Sequence, residues 1–136
     1  MNTSIFKALD IRGIYPTEVN EEAVAAVGRA LVHMFPEGEI IIGYDARHGS
    51  TELVKVLEAS IKEESTKIGK KNIVIDIGLC TTPMFYFTVC DRKSVGGAMI
   101  TASHNPKEYN GMKIVREMGK MVSGTDVLEA VKALTV

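Results

Sequence analysis

Ser103, His104 and Lys113 carry the side-chain types that could do chemistry: a hydroxyl, an imidazole and an amine. They fall in the stretch Thr101-Ala102-Ser103-His104-Asn105-Pro106-Lys107-Glu108-Tyr109-Asn110, followed by Gly111-Met112-Lys113. This puts a serine on a polar segment between two apolar runs, with a lysine ten residues downstream. Asn-Pro and Asn-Gly are strong turn dipeptides, so the Ser103 hydroxyl is expected at the exposed tip of a supported loop. A serine hydroxyl is a weak nucleophile at neutral pH and needs a neighbouring group to help it. His104 does not fit the base of a serine hydrolase. Adjacent residues do not aim nucleophile and base at each other, and the chain has no G-x-S-x-G elbow. The phosphate-binding G-x-x-x-x-G-K-[ST] and the dinucleotide G-x-G-x-x-G are also missing. On residue types alone, Ser103 is either a turn former or a nucleophile.

The elements that must carry this loop alternate between strand and helix. Asn20 precedes Glu21 and Glu22, acids suited to a first helical turn, and Val24, Val27, Leu31 and Met34 recur at helical spacing until Pro36 and Gly38. Residues 39–44 contain Ile40-Ile41-Ile42, a β-branched run expected where both faces of a strand are covered. A second helix is predicted from about Ser50, with Leu53, Leu57 and Ile61 on one face. Residues 72–77 read as a buried strand. Thr82 and Pro83 are expected as N-cap and first residue of a short helix through Thr88. Residues 95–100 form the strand that ends at the serine loop, 112–116 and 120–122 a hairpin, and 125–134 a last helix with Val127, Leu128, Val131 and Leu134 as its apolar stripe. The expected fold is α/β, a three-layer α/β/α sandwich with a mixed, mostly parallel sheet. In such sheets ligands bind beyond the carboxyl ends of the strands, where Asp45 and Ser103 both fall.

With 136 residues the chain has the size of one domain able to bury a core. A net charge of −1 gives no electrostatic footprint for nucleic acid or an anionic membrane. No apolar run reaches the length of a membrane span, and the N-terminus does not read as a signal peptide. Cys80 and Cys90 lack metal-binding spacing and read as reduced, packed thiols of a cytoplasmic protein. Lys67, Lys70 and Lys71 are expected to cap a helix C-terminus and the loop after it. His33 and His48 are read as surface or turn residues, Asp76 as part of a turn, and Asp45 with Arg47 as a supporting ion pair.

Four segments in order resemble one family. Lys7-Ala8-Leu9-Asp10-Ile11-Arg12-Gly13 is similar to the K-x-Y-D-I-R-G opening of the α-D-phosphohexomutases (phosphoglucomutase and phosphomannomutase), with Leu9 where tyrosine is usual. Gly43-Tyr44-Asp45-Ala46-Arg47 resembles their G-x-D-x-R, Gly96-Gly97-Ala98-Met99-Ile100 their small-residue strand, and Thr101 to Pro106 their T-x-S-H-N-P phosphoserine loop, which continues into N-G-x-K.

The resemblance implies an enzyme that interconverts hexose 1-phosphate and hexose 6-phosphate through a bisphosphate intermediate. Ser103 would be phosphoryl carrier and, through its phosphate, a metal contact. Lys113 matches the lysine implicated in proton transfer. Arg12 would orient that lysine or a substrate oxygen, with a salt bridge to Asp10 or Asp45 as the plainer reading. His104 matches the histidine that contacts the transferring phosphate, and Gly13 would permit a tight turn after the first strand. The implied cofactors are Mg²⁺, with carboxylate ligands from another domain, and a sugar 1,6-bisphosphate activator. The segment matches only the first of four family domains. The expected partners are therefore a phosphosugar, domains II–IV, or a second copy through apolar surface left on the last helix. A chain lacking those domains is expected to be inactive alone. A non-catalytic phosphosugar-binding or assembly domain is the alternative, in which Ser103 is replaceable.

Overall fold

The computed structural model describes residues 1–135; Val136, which the sequence reading placed in the domain, lies outside the described residues. The elements run β1 (Ile11–Ile14), α1 (Glu21–Met34), β2 (Gly38–Tyr44), α2 (Ser50–Ile68), β3 (Asn72–Leu79), α3 (Thr82–Asp91), β4 (Gly96–Ile100), β5 (Tyr109–Arg116), β6 (Met121–Val122) and α4 (Gly124–Leu134). The sheet order is β1-β5-β4-β2-β3, with β6 paired to β5. It is mixed, as expected. Its parallel share is smaller than expected: β2 pairs in parallel with β3 and β4, while the β1–β5, β4–β5 and β5–β6 ladders are antiparallel. The reason is the serine loop itself, which turns the chain back beside β4 instead of sending it through a helical crossover.

The isoleucine run shows how the layers form. Strand side chains alternate between faces, so Ile40 and Ile42 pack in the larger core with residues of α1, α2 and α4, while Ile41 faces α3 with Phe85, Val89, Met99 and Val115. Three helices thus cover one face and α3 covers the other. The consecutive Gly96 and Gly97 serve both sides. A Cβ on Gly96 would stand 2.6 Å from the Phe35 ring, and one on Gly97 2.6 Å from the Ile41 carbonyl and 2.9 Å from Phe85.

Helix ends follow local chemistry, with differences from expectation. Asn20 Oδ1 accepts from the Ala23 N–H at 2.9 Å, the expected cap. At α3 the cap is Thr81, whose Oγ1 accepts from Met84 N–H, and the helix runs three residues past Thr88. Thr82 is already helical because Pro83 occupies the first turn, where its missing N–H costs nothing. Lys70 caps a helix C-terminus, but that of α1: Nζ donates to the Val32 carbonyl at 2.5 Å and also to that of Phe35. The left-handed Gly69 ends α2 and turns the chain, which carries Lys70 away from its own helix. The expected apolar surface on α4 is largely covered, since Val127 and Val131 are buried and Leu128 packs on the core. On α4 Leu134 stays exposed, and further exposed apolar side chains lie on α3 (Met84, Phe87), on edge strand β3 (Ile73, Leu79), and at Leu9 and Met121.

Two motif glycines act through close packing, not turns. Gly13 lies within β1, with Ile5 and Glu18 against its open side; the expected turn does follow the strand, at residues 15–18, but Gly13 is not part of it. Asn110-Gly111 is also strand, opposite Gly13 and Arg12, and a Cβ on Gly111 would meet the Ile11 carbonyl oxygen at 1.9 Å. Replacing Gly111 by alanine forces β1 off β5. We expect urea denaturation of Gly111→Ala to show a loss of about 3 kcal/mol, the scale of an overpacked core; unchanged stability would mean that β1 moves freely.

Candidate functional site

The carboxyl ends of parallel strands β2 and β4 deliver Asp45 and the 101–110 loop side by side, with Asp45 N–H donating to the Ile100 carbonyl at 3.1 Å. Arg47, in the connection after β2, holds that loop by its main chain. Nη1 donates to the carbonyls of Pro106 (2.9 Å) and Tyr109 (3.1 Å), and Nη2 to those of Ser103 (2.6 Å) and Asn105 (2.7 Å). A planar guanidinium suits this task because its donors form a fixed fork. Asp45 completes the arrangement. Its Oδ2 accepts from Thr101 Oγ1 at 2.6 Å and lies 3.7 Å from Arg47 Nε, while Oδ1 accepts from Ser50 Oγ at 3.3 Å. Thr101 Oγ1 in turn accepts from the Ser103 N–H at 3.0 Å. Asn110, fully buried, ties the loop's end to α2 by donating to the His48 carbonyl and Ser50 Oγ, both at 3.1 Å.

These bonds hold Ser103 at φ 55°, the left-handed region, where a non-glycine residue pays roughly 1–2 kcal/mol. The Ser103 and His104 side chains are exposed. The expected tip therefore exists, supported by Asn-Pro as predicted: Asn105 donates through both its backbone N–H and Nδ2 to the Ala102 carbonyl.

Sheet periodicity places the cations. Arg12 pairs with Gly111, and Lys113 is two residues further along β5, so both project from the face that carries α3. With His104 they line one cleft of about 520 Å³ that also holds Leu9, Asp10 and Ser103. An adjoining cleft of about 620 Å³ shares Ser103, His104 and Lys113 and is closed by Thr82, Pro83 and Tyr86 of α3. All four residues singled out in the sequence, Ser103, His104, Lys113 and Arg12, thus meet at one place. A larger cleft of about 750 Å³ lies behind the loop, lined by Tyr15, Arg47 and His48, and does not include Ser103.

Asp10 was named in the sequence reading only as a partner for Arg12. It stands between both cations: Oδ1 is 3.5 Å from Arg12 Nε and Oδ2 3.7 Å from Lys113 Nζ. Tyr86 was missed altogether. Burial first, and the Asp10 charge second, push its phenol above the ordinary value, so it faces the cleft as a neutral hydrogen-bonding group. Its only signal in the sequence was its place one turn after Thr82. His33 is a surface residue as expected, and its Nε2 also meets the buried Glu64 Oε1 at 2.7 Å across α1 and α2. His48 packs edge-on against Tyr15, ring centroids 5.3 Å apart. Asp76 is in a turn as expected, accepting from Gly78 N–H at 2.8 Å. Burial raises the Cys80 thiol, which lies 3.7 Å from Met99 Sδ.

Residues 3–135 match the family model described as phosphoglucomutase/phosphomannomutase, alpha/beta/alpha domain I. The chain belongs to the phosphoglucomutase/phosphomannomutase family. It is 41% identical over 132 residues to phosphohexose mutases of Xanthomonas campestris, covering 97% of this chain and 28% of that relative. A phosphomannomutase of Klebsiella pneumoniae is 40% identical over 129 residues, with 95% and 78% covered. A solved phosphoglucomutase/phosphomannomutase family protein from Burkholderia thailandensis superposes with a TM-score of 0.80 at 26% identity, over 99% of this chain and 30% of that one. The chain therefore spans under a third of the length of the Xanthomonas relatives.

No group of three or more His, Cys, Asp or Glu among the described residues is placed to hold a metal ion. The two carboxylates nearest the serine loop are engaged, Asp45 with Thr101 and Arg47, and Asp10 with Arg12 and Lys113. These residues alone do not fit a Mg²⁺ site. Among the described residues, no helix is long and apolar enough to cross a membrane.

The clamp has a direct test. Arg47→Met leaves four loop carbonyls without their donor. We expect it to cost about 2 kcal/mol and to speed amide hydrogen exchange across residues 103–111 far more than in β2 or α1. Arg47→Lys should recover little, because a single ammonium cannot replace the fork. Unaltered loop exchange in Arg47→Met would show that the loop is held by something else.

Proposed function

We propose that the chain is the phosphoserine-bearing domain of a phosphohexomutase, exchanging phosphate between the 1- and 6-positions of a hexose. The observation that carries this reading is the Ser103 hydroxyl, presented in a clamped left-handed turn beside Arg12, Lys113 and His104. Phosphoryl transfer asks mainly for positioning and charge stabilisation, and that is what these residues offer.

In this reading a sugar hydroxyl attacks the phosphorus on Ser103. The P–Oγ bond breaks as the new P–O bond forms, giving the bisphosphate. Lys113 Nζ moves the proton between the sugar hydroxyl and Ser103 Oγ. His104 contacts the phosphoryl oxygens, and Arg12 orients the lysine and the incoming oxygen. After the bisphosphate turns over, its other phosphate returns to Ser103. Mg²⁺ would take its carboxylate ligands from outside these residues, and a sugar 1,6-bisphosphate would reload the serine. Domains II–IV supply the remainder, so the chain alone is proposed to be inactive.

A chimera tests this. Residues 1–136 replace the matching segment of the Xanthomonas relative, and conversion of glucose 1-phosphate and mannose 1-phosphate is assayed with Mg²⁺ and the bisphosphate. We expect mutase activity that falls more than about a thousandfold in Ser103→Ala, as when a nucleophile is removed. A folded but inactive chimera, or full activity in Ser103→Ala, sinks the proposal.

A further inference from the structure

Among the described residues, Asp10 is the one carboxylate lining the cleft that holds Arg12 with Ser103 and Lys113, and its environment is unlike that of a close structural ion pair. Its residue is only 9% exposed, yet Oδ1 makes no hydrogen bond, and its two cations stand at 3.5 and 3.7 Å, beyond hydrogen-bond contact. The carboxylate is not needed to hold the 7–10 turn, because Lys7 N–H already donates to the Asp10 main-chain carbonyl at 2.8 Å. A buried carboxylate with unfilled hydrogen-bonding capacity is costly to keep. It also sits where an anion is to arrive, since Ser103, Arg12 and Lys113 line the same cleft.

We propose that Asp10 is a positioning residue that holds the Arg12 and Lys113 charges in reserve and releases them to a phosphate at Ser103. The inference rests on the phosphoserine reading above. With the site empty, the carboxylate shares both cations loosely, at 3.5 and 3.7 Å. When phosphate occupies Ser103, Arg12 and Lys113 turn toward it; when phosphate leaves, Asp10 takes them back. No bond is made or broken, and only the ion pairing is exchanged. Two full cations facing a phosphate would hold it tightly. The carboxylate between them weakens that grip, which suits a group that must be given away and regained.

The test needs no turnover. Inorganic phosphate is titrated into the 136-residue chain, following the amide resonances of Ser103, His104 and Lys113. We expect Asp10→Asn to bind phosphate about fivefold more tightly than the unsubstituted chain, the scale of one partly exposed charge pair, and Asp10→Asn with Lys113→Met to return near the original affinity. A merely structural role predicts weaker binding, so equal or weaker binding by folded Asp10→Asn overturns the proposal. If that variant does not fold, the unsubstituted chain decides. Saturating phosphate should shift the Asp10 carboxyl carbon resonance, and an unmoved resonance overturns the proposal. The chimera assay separates this from the phosphoserine reading: an active chimera without tighter binding removes only the role of Asp10. An inactive chimera with tighter binding removes the reading of Ser103, and the role of Asp10 in phosphoryl exchange falls with it; only its opposition to phosphate binding at Arg12 and Lys113 remains.

Discussion

The contact between one guanidinium and four main-chain carbonyls is the constraint on which the site depends. Arg47 gathers the oxygens of Ser103, Asn105, Pro106 and Tyr109, and without them converging the serine would have no reason to stay in a left-handed turn. Asp45 serves the same end from the other side, through Thr101 to the Ser103 N–H. Backbone strain at a loop tip persists only where its surroundings over-determine it. Here they do so with charge-assisted bonds, which are stronger than neutral ones.

The sheet then decides what the serine meets. Because β5 comes back antiparallel beside both β4 and β1, the residues that leave the loop return along the strand next to the one that delivered it. That return brings Lys113 to the α3 face, and the β1 pairing brings Arg12 to the same face. Gly111 lets the two strands approach closely enough for this. Sequence neighbours and distant residues converge on one cleft through period-two geometry and a single close contact.

Much of this was legible in the sequence, for identifiable reasons. The helices around Val24 to Met34 and Leu53 to Ile61 and the isoleucine strand carry strong periodic signals, and the structure has them. Family likeness located Ser103, His104, Lys113 and Arg12, which the structure brings together, and led to the same family that the comparisons show. What stayed hidden was of two kinds. Asn110-Gly111 has turn chemistry but sits in a strand, because close approach to β1 overrode the local preference. The clamp of Arg47, the contact of Asp10 with Lys113 beside the expected one with Arg12, and the reach of Lys70 to α1 are contacts across long separations, to which residue types give no address. The loop-driven return of β5 likewise made the sheet less parallel than alternating elements suggested.

Arg47 reads the loop only through carbonyl oxygens, which every residue type possesses. The loop's shape is thereby uncoupled from most of its side chains. Exposed His104, Lys107 and Glu108 can be exchanged by evolution without loosening the turn that presents the serine. A scaffold built this way keeps the turn at Ser103 constant while most of the exposed side chains around it place no demand on its shape.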